Sequence, residues 1–273
     1  MSEEITQMER GMQRRSELLL GNENQSNIRT ARVLIFGIGG VGSWCAEALV
    51  RSGVKHITIV DSDRVCTTNC NRQLMATSKT IGQVKVEALR QRLLEINPDA
   101  EIVPLQKIYS ADTADTFQME TYDFIIDAID SLAQKADLIL RATSLPKHIT
   151  FISSMGAALR TDPFQVRKAE FWDVKGDPLA RALRKRFKSQ KVWPGRKFQC
   201  VYSEELPMEN MGQNQPCGTP DCMCSKRNGA NAEQPAEHDW NKSKAQINGS
   251  LCHITAIFGM SIAGIVLNTI IQK

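Results

Sequence analysis

The segment Gly37-Ile38-Gly39-Gly40-Val41-Gly42 directly follows a short apolar run, Arg32–Phe36, and leads into a helical pattern over residues 41–52. Strand, glycine-rich turn and helix, in that order, form the phosphate-binding start of a doubly wound α/β fold. Gly37 permits the tight turn, Gly39 and Gly40 let backbone approach a phosphate, and Gly42 allows close helix packing. The helix start then offers free N–H groups and the positive end of its dipole to an anion. Asp61 ends the next apolar run, residues 57–60, where a ribose can hydrogen-bond to it.

The rest of the first half extends this cycle. Helical spacing over 84–96 stops at Asn97-Pro98, strands are predicted at 102–105, 124–129 and 149–153, and a helix at 131–144. Such alternation predicts a parallel sheet with right-handed crossovers. Beyond residue 170 the character changes. A basic helical stretch at 178–188 continues through a Trp193-Pro194-Gly195 turn, and 205–242 is long, polar and rich in Gly, Pro, Asn and Cys. A segment of that length without regular structure is usually functional or mobile. The expected architecture is α/β: a Rossmann-like, mostly parallel sheet with helices on both faces. It carries a C-terminal extension made of a basic helix, an irregular Cys-containing loop and a closing apolar helix. Residues 1–170 are expected to form the nucleotide-binding domain, with residues 171–273 as an extension expected to serve substrate binding and dimerisation.

Bulk composition excludes several classes. A formal charge of +4 does not by itself argue for nucleic acid, and eight cysteines in 273 residues do not suggest a disulfide scaffold. Residues 1–15 are polar and lack the apolar core of a secretory signal, so a cytoplasmic location is expected. The apolar stretch 251–271 is nearly long enough to span a bilayer. It carries His253, Thr255, Gly259, Ser261, Gly264 and Asn268, which suit a helix buried between protein layers or at a subunit interface better than lipid. Membrane association is therefore not expected.

On the glycine pattern alone, a dinucleotide such as NAD is the default ligand. The residues after Asp61 argue otherwise. Asp63, then Asn69-Cys70-Asn71-Arg72-Gln73, then Lys85 at the start of a helix bring two cations toward the same pocket. A hydride-transfer enzyme or a nucleotide sensor has no use for them. Nucleotidyl transfer does, because charge builds on the triphosphate as pyrophosphate leaves. Asp127 and Asp130 stand where the fourth strand ends, the ligand-binding edge of a parallel sheet, and one of them can hold Mg²⁺ together with phosphate oxygens. Asp130, just before Ser131, also fits a helix cap.

The order GxGGxG, DxD, NxNRQ, Lys, DxxD resembles the ubiquitin-activating-enzyme-like superfamily, which includes the bacterial ThiF and MoeB adenylyltransferases. The resemblance covers about residues 12 to 170. It implies that Asp61 binds ribose, that Asn71, Arg72 and Lys85 contact the ATP phosphates, and that Asp130 binds Mg²⁺. Arg15, in Arg15-Ser16-Glu17-Leu18-Leu19-Leu20-Gly21, matches the arginine that reaches into the partner subunit's ATP site, which implies a homodimer. Within the superfamily the chain is most similar to the tRNA threonylcarbamoyladenosine dehydratases, through Asn69 to Leu74, Asp177-Pro178-Leu179-Ala180, the run Leu183 to Lys188, Cys200 to Ser203 and Thr255 to Gly259. That family's activity is an ATP-dependent cyclising dehydration of a modified adenosine beside the anticodon. It implies tRNA as substrate, admits a monovalent cation beside Mg²⁺, and admits a cysteine-desulfurase or sulfur-acceptor partner.

The basic run fits an RNA substrate. From Arg181 to Lys197 there are eight Lys or Arg and no acid, and Arg181, Arg184, Lys185, Arg186 and Lys188 are the candidate tRNA contacts. A solvated helix face would read the same. The alternative from the same superfamily, activation of the C-terminal glycine of a ubiquitin-like sulfur carrier, predicts paired Cys-x-x-Cys zinc ligands. The chain instead has Cys217, Cys222 and Cys224 at C-x4-C-x-C spacing with His238 beyond, which argues against zinc without excluding three Cys and one His. Cys252 in the apolar helix is expected to be buried, and Cys45, Cys66 and Cys70 to be small packing residues.

Overall fold

The computed structural model describes residues 6–212 and 248–272. Among the described residues, seven strands make one sheet: β1 (Arg32–Phe36), β2 (His56–Val60), β3 (Glu101–Leu105), β4 (Phe124–Asp127), β5 (Thr150–Ser154), β6 (Val166–Glu170) and β7 (Gln199–Ser203). Their order is β3-β2-β1-β4-β5-β7-β6, and every pair is parallel except β6 with β7. Order reverses between β1 and β4, so a crevice opens at their carboxyl ends, the usual ligand position in such sheets.

The central strands alternate strictly, and this builds two cores. Val33 and Ile35 of β1 and Ile126 of β4 face one layer, while Leu34, Phe36 and Ile125 face the other. The first layer holds α2 (Gly42–Arg51), α3 (Lys85–Ile96) and α6 (Cys252–Ile271); the second holds α4 (Leu132–Ser144) and α5 (Pro178–Gln190). Helices on both faces and a mostly parallel sheet are as the sequence predicts.

Four elements differ from expectation. β4 ends at Asp127 rather than 129, because the Asp127 carboxylate accepts the Ile129 N–H (3.1 Å) and bends the chain out of the sheet. β6 was not foreseen; its burial alternates only weakly, as suits an edge strand. The N-terminal helix α1 (Gln7–Thr30), kinked at Gly21, was not foreseen either. Its buried face is mostly polar: Glu9, Gln13, Gln25 and Arg29, with Ile28. Glu9 meets Arg29 at 3.4 Å and Lys55 at 3.5 Å, and Gln25 donates to the Ser52 carbonyl, so the helix docks through a polar seam with no apolar periodicity to read. Finally, Cys252 is half-buried at the start of α6 rather than enclosed.

α6 is long and apolar enough to cross a membrane, but Ile254, Phe258, Ile262, Val266 and Ile270 are buried in the first core. It crosses α2 at backbone contact. A Cβ on Gly259 would stand 2.4 Å from the Val41 carbonyl oxygen and 2.8 Å from the Cys45 nitrogen, so only glycine permits the approach. Cys217, Cys222, Cys224 and His238 lie outside the described residues.

Candidate nucleotide site

The glycine turn sits at the switch point. Gly37 has φ +81°, and its N–H donates to the Val60 carbonyl (2.8 Å), which stitches the turn to the end of β2. A Cβ on Gly42 would lie 1.9 Å from the Gly37 carbonyl oxygen, so this close return of helix onto turn requires glycine. Gly39 has only the Gln73 side chain near it, and Gly40 backs onto Thr255 of α6. Ser43 donates to the Gly39 carbonyl (2.6 Å) and accepts the Leu74 N–H (3.2 Å), joining this turn to the Asn69–Gln73 segment.

Asp61 reaches back across the crevice. One carboxylate oxygen accepts the Ile38 N–H (3.1 Å), the other the Asp63 N–H (3.0 Å). Residues 63–65 pair antiparallel with 82–85, and this pairing delivers Lys85 beside Asp63: its Nζ is 2.8 Å from Asp63 Oδ2 and 3.9 Å from Asp61 Oδ1. Burial pulls the Lys85 ammonium down, but Asp61 and Asp63 outweigh it and hold its pKa above the ordinary lysine value. Lys85 is therefore a fixed cation at neutral pH.

Arg72 and Asn71 project from the turn after a short 3-10 helix, Thr67–Asn69, whose Asn69 side chain accepts the Cys66 N–H (3.0 Å). Trp44 of α2 donates to the Arg72 carbonyl (3.0 Å), Arg72 Nη1 donates to Asn71 Oδ1 (2.9 Å), and Asn71 Nδ2 donates to the Ser250 carbonyl (2.8 Å). Burial lowers the Arg72 guanidinium pKa, and Asp130 opposes that shift, so Asp130 lies within electrostatic reach of Arg72. Asp130 is exposed and does not cap α4, whose N-cap is Ser131. The structure thus gathers Asp61, Asp63, Arg72, Lys85 and Asp130 around one glycine turn, with Asn69, Asn71 and Gln73 on its border.

Two expected site residues take other roles. Asp127 is fully buried, and its oxygens are engaged by Lys135 Nζ (2.8 Å), the Ser153 hydroxyl (2.7 Å) and the Ile129 N–H. Asp127 therefore sits behind the crevice and shapes the turn that carries Asp130. Lys135 was missed, although it stands on the same helical face as Leu138, Ile139 and Ala142, where a lysine signals a buried partner. Arg184 is the second case. Its Nη1 points at the carbonyls of Phe171, Trp172 and Val174 (3.1, 3.1 and 2.8 Å), so it ties α5 to the preceding loop. Arg181, Lys185 and Lys188 are exposed and Arg186 is half-buried. Arg196 is likewise internal, its guanidinium donating to the Ala142, Leu145, Pro146 and Ile149 carbonyls.

Arg15 is exposed on α1, on a stretch that also exposes Leu18 (81 %) and Leu19 (82 %). Cys45 is enclosed, with its thiol pKa pushed far up by burial, as befits a packing residue; Cys66 is half-buried and Cys70 exposed. Among the described residues, no three His, Cys, Asp or Glu side chains form a metal-holding group.

A glycine turn on a helix N-terminus, facing two cations and flanking carboxylates at the switch point, defines an α/β protein built to bind a nucleotide by its phosphates. The chain belongs to the ThiF family, whose model matches residues 13–273. It is 34 % identical to the tRNA threonylcarbamoyladenosine dehydratase of Escherichia coli (strain K12) over 260 residues, covering 93 % of this chain and 91 % of that one. To the enzyme of the same name from Bacillus subtilis (strain 168) it is 39 % identical over 194 residues, 71 % of this chain and 75 % of the other. The crystal structure of the E. coli dehydratase in complex with ATP superposes with a TM-score of 0.77 at 28 % identity, covering 98 % and 97 % of the two chains.

Proposed function

We propose that this chain is an ATP-dependent enzyme that adenylates and then cyclises N6-threonylcarbamoyladenosine next to the anticodon of tRNA. The threonyl carboxylate attacks the α-phosphorus of ATP and pyrophosphate leaves, giving an acyl adenylate. A nitrogen of the same modification then attacks the activated carbonyl, closes a five-membered ring and expels AMP; the net change in the nucleoside is loss of water. Because the nucleophile is tethered, ring closure has the advantage of high effective molarity. This makes the enzyme a ligase-like cyclase.

The observation that carries the reading is the convergence of Arg72 and Lys85 on the glycine turn at Gly37 to Gly42. In our assignment the turn and the α2 N-terminus hold phosphate, Asp61 takes the ribose, and Asn71, Arg72 and Lys85 neutralise charge on the departing pyrophosphate. Mg²⁺ needs hard oxygen ligands and is content with one carboxylate plus phosphate oxygens and water. Asp130, exposed beside the turn, fits that donor set. The ion when bound would offset phosphate charge.

The same reading makes the enzyme a homodimer, with Arg15 completing the partner's ATP site; exposed Met8, Met12, Leu18 and Leu19 on α1 support a covered surface there. It divides the chain into an adenylation part, residues 1–170, and a tRNA-binding and dimerisation part, residues 171–273, working in the cytoplasm. Arg181, Lys185, Arg186 and Lys188 meet the tRNA backbone. No described residue argues for a monovalent cation or a cysteine-desulfurase partner, and neither belongs to the proposal.

The test is ATP–pyrophosphate exchange with tRNA carrying threonylcarbamoyladenosine, run beside a ubiquitin-like sulfur carrier. Exchange with the tRNA alone is expected, and Arg72→Ala should cut it about 100-fold or more. Exchange driven by the carrier protein instead would refute the substrate assignment, and exchange with neither would refute adenylation itself.

A further inference from the structure

We propose that Trp193 is a stacking platform for an unpaired RNA base remote from the reacting nucleotide; this rests on the tRNA reading above. Trp193 is 56 % exposed, far more than a tryptophan normally shows. Its exposure does not come from a loose loop. Before it, the Val192 N–H donates to the Phe187 carbonyl (3.1 Å) at the end of α5. After it, the Gly195 N–H donates to the Thr143 hydroxyl (3.0 Å), and Arg196 clamps onto the carbonyls around the α4 terminus. An indole ring is thus presented to solvent by a turn that is fixed on both sides.

Its surroundings select the partner. Lys188, Lys191 and Lys197, its near neighbours in sequence, are exposed, and no acid occurs from Arg181 to Lys197. Trp193 is also the one exposed large apolar side chain of residues 178–200. Protein interfaces gather apolar neighbours and deplete lysine. A lone aromatic ring in a field of lysines instead matches single-stranded nucleic acid recognition, where lysines follow the backbone and the ring takes a base face.

Position along the fold separates this base from the chemistry. α5 is capped by Asp177, whose carboxylate accepts the Gly156 N–H (3.0 Å) beyond the carboxyl end of β5. It ends near the residues that precede β5, Leu145 to Ile149, which Arg196 clamps. Thirteen helical residues span about 20 Å, so Trp193 stands roughly that far from the nucleotide edge of the sheet. A substrate lying along Arg181, Lys185 and Lys188 would bring a distant loop base to the indole.

The experiment compares RNA binding by the full-length wild type, Trp193→Ala and Trp193→Phe at several salt concentrations, using tRNA and a fully paired RNA duplex. Trp193→Ala should weaken tRNA binding about 5- to 100-fold, with an unchanged slope of log affinity against log salt, while duplex binding stays as it was. Trp193→Phe should recover most of the loss. Equal tRNA affinity of wild type and Trp193→Ala overturns the inference. So does unchanged affinity with a loss of self-association, which would assign the ring to a protein contact. If the wild type binds no tRNA, the substrate reading falls first and takes this inference with it.

Discussion

Replacing Lys135 with methionine should destabilise the protein more than any surface substitution. Lys135 and Asp127 are both 0 % exposed, with Nζ and Oδ2 2.8 Å apart, and Nζ also donates to the Ile129 carbonyl (2.9 Å). Methionine keeps most of the volume and leaves Asp127 as an uncompensated buried charge, beside a carbonyl that has lost its donor. Breaking a buried pair from one side costs about 3–5 kcal/mol. At roughly 2–4 °C per kcal/mol for a chain of this size, the melting temperature should fall by on the order of 10 °C. The double variant Asp127→Asn with Lys135→Met removes both charges and should regain a large part of that loss. Urea titrations of the two single variants and the double variant measure the coupling directly. Should Lys135→Met cost less than about 1 kcal/mol, or the double variant equal the sum of the singles, the pair does not organise the 127–131 turn as described.

Three further outcomes follow from the same geometry. Gly42→Ala places a methyl carbon where the Gly37 carbonyl already lies, so it should lower both thermal stability and ATP affinity, read by thermal shift with and without ATP. Arg184→Ala should lower the melting temperature through the loss of its carbonyl contacts, whereas Lys185→Ala should leave stability alone and reduce the salt slope of tRNA binding by about 1. Burial pushes the Glu47 carboxyl up, but Arg92 and Arg51 overcome it and hold its pKa below the ordinary value. Its stabilisation is thus complete above the usual glutamate pKa and lost as pH falls through the lower folded value, so Glu47→Gln should flatten acid unfolding in that window.

The alternation of apolar strands and helical runs was legible because each strand has one face in each core; Val33 against Leu34 and Ile125 against Ile126 are enough to set the sheet between two layers. α1 was illegible for the opposite reason. Its attachment is a buried chain of Glu9, Gln13, Gln25, Arg29 and Lys55, and a helix held by ion pairs and amides leaves no hydrophobic period in the sequence. β6 hid behind its charged residues, Arg167, Lys168 and Glu170, since an edge strand needs little apolar surface to pair with β7.

Within the site, residue type marked the chemistry and only packing assigned the roles. Asp127 and Asp130 are three residues apart in one acidic motif, yet one is sealed against Lys135 and the other stands in solvent within reach of Arg72. The division has a single cause. Asp127 still belongs to β4, paired in register with Phe36 and Ser153, so its side chain must point into the layered interior, where a carboxylate persists only with a cation. Three residues later the chain has left the sheet through the turn that this ion pair holds, and Asp130 emerges at the crevice. The cations from Arg181 to Lys197 divide in a related way: Arg184 and Arg196 spend their guanidinium groups on backbone carbonyls, and Lys185, Lys188, Lys191 and Lys197 stay exposed. Arginine's planar fork suits several carbonyls at once, and the ammonium of lysine stays in water. The two cations that tie this stretch to its neighbours are both arginines, and its four lysines all stand in solvent.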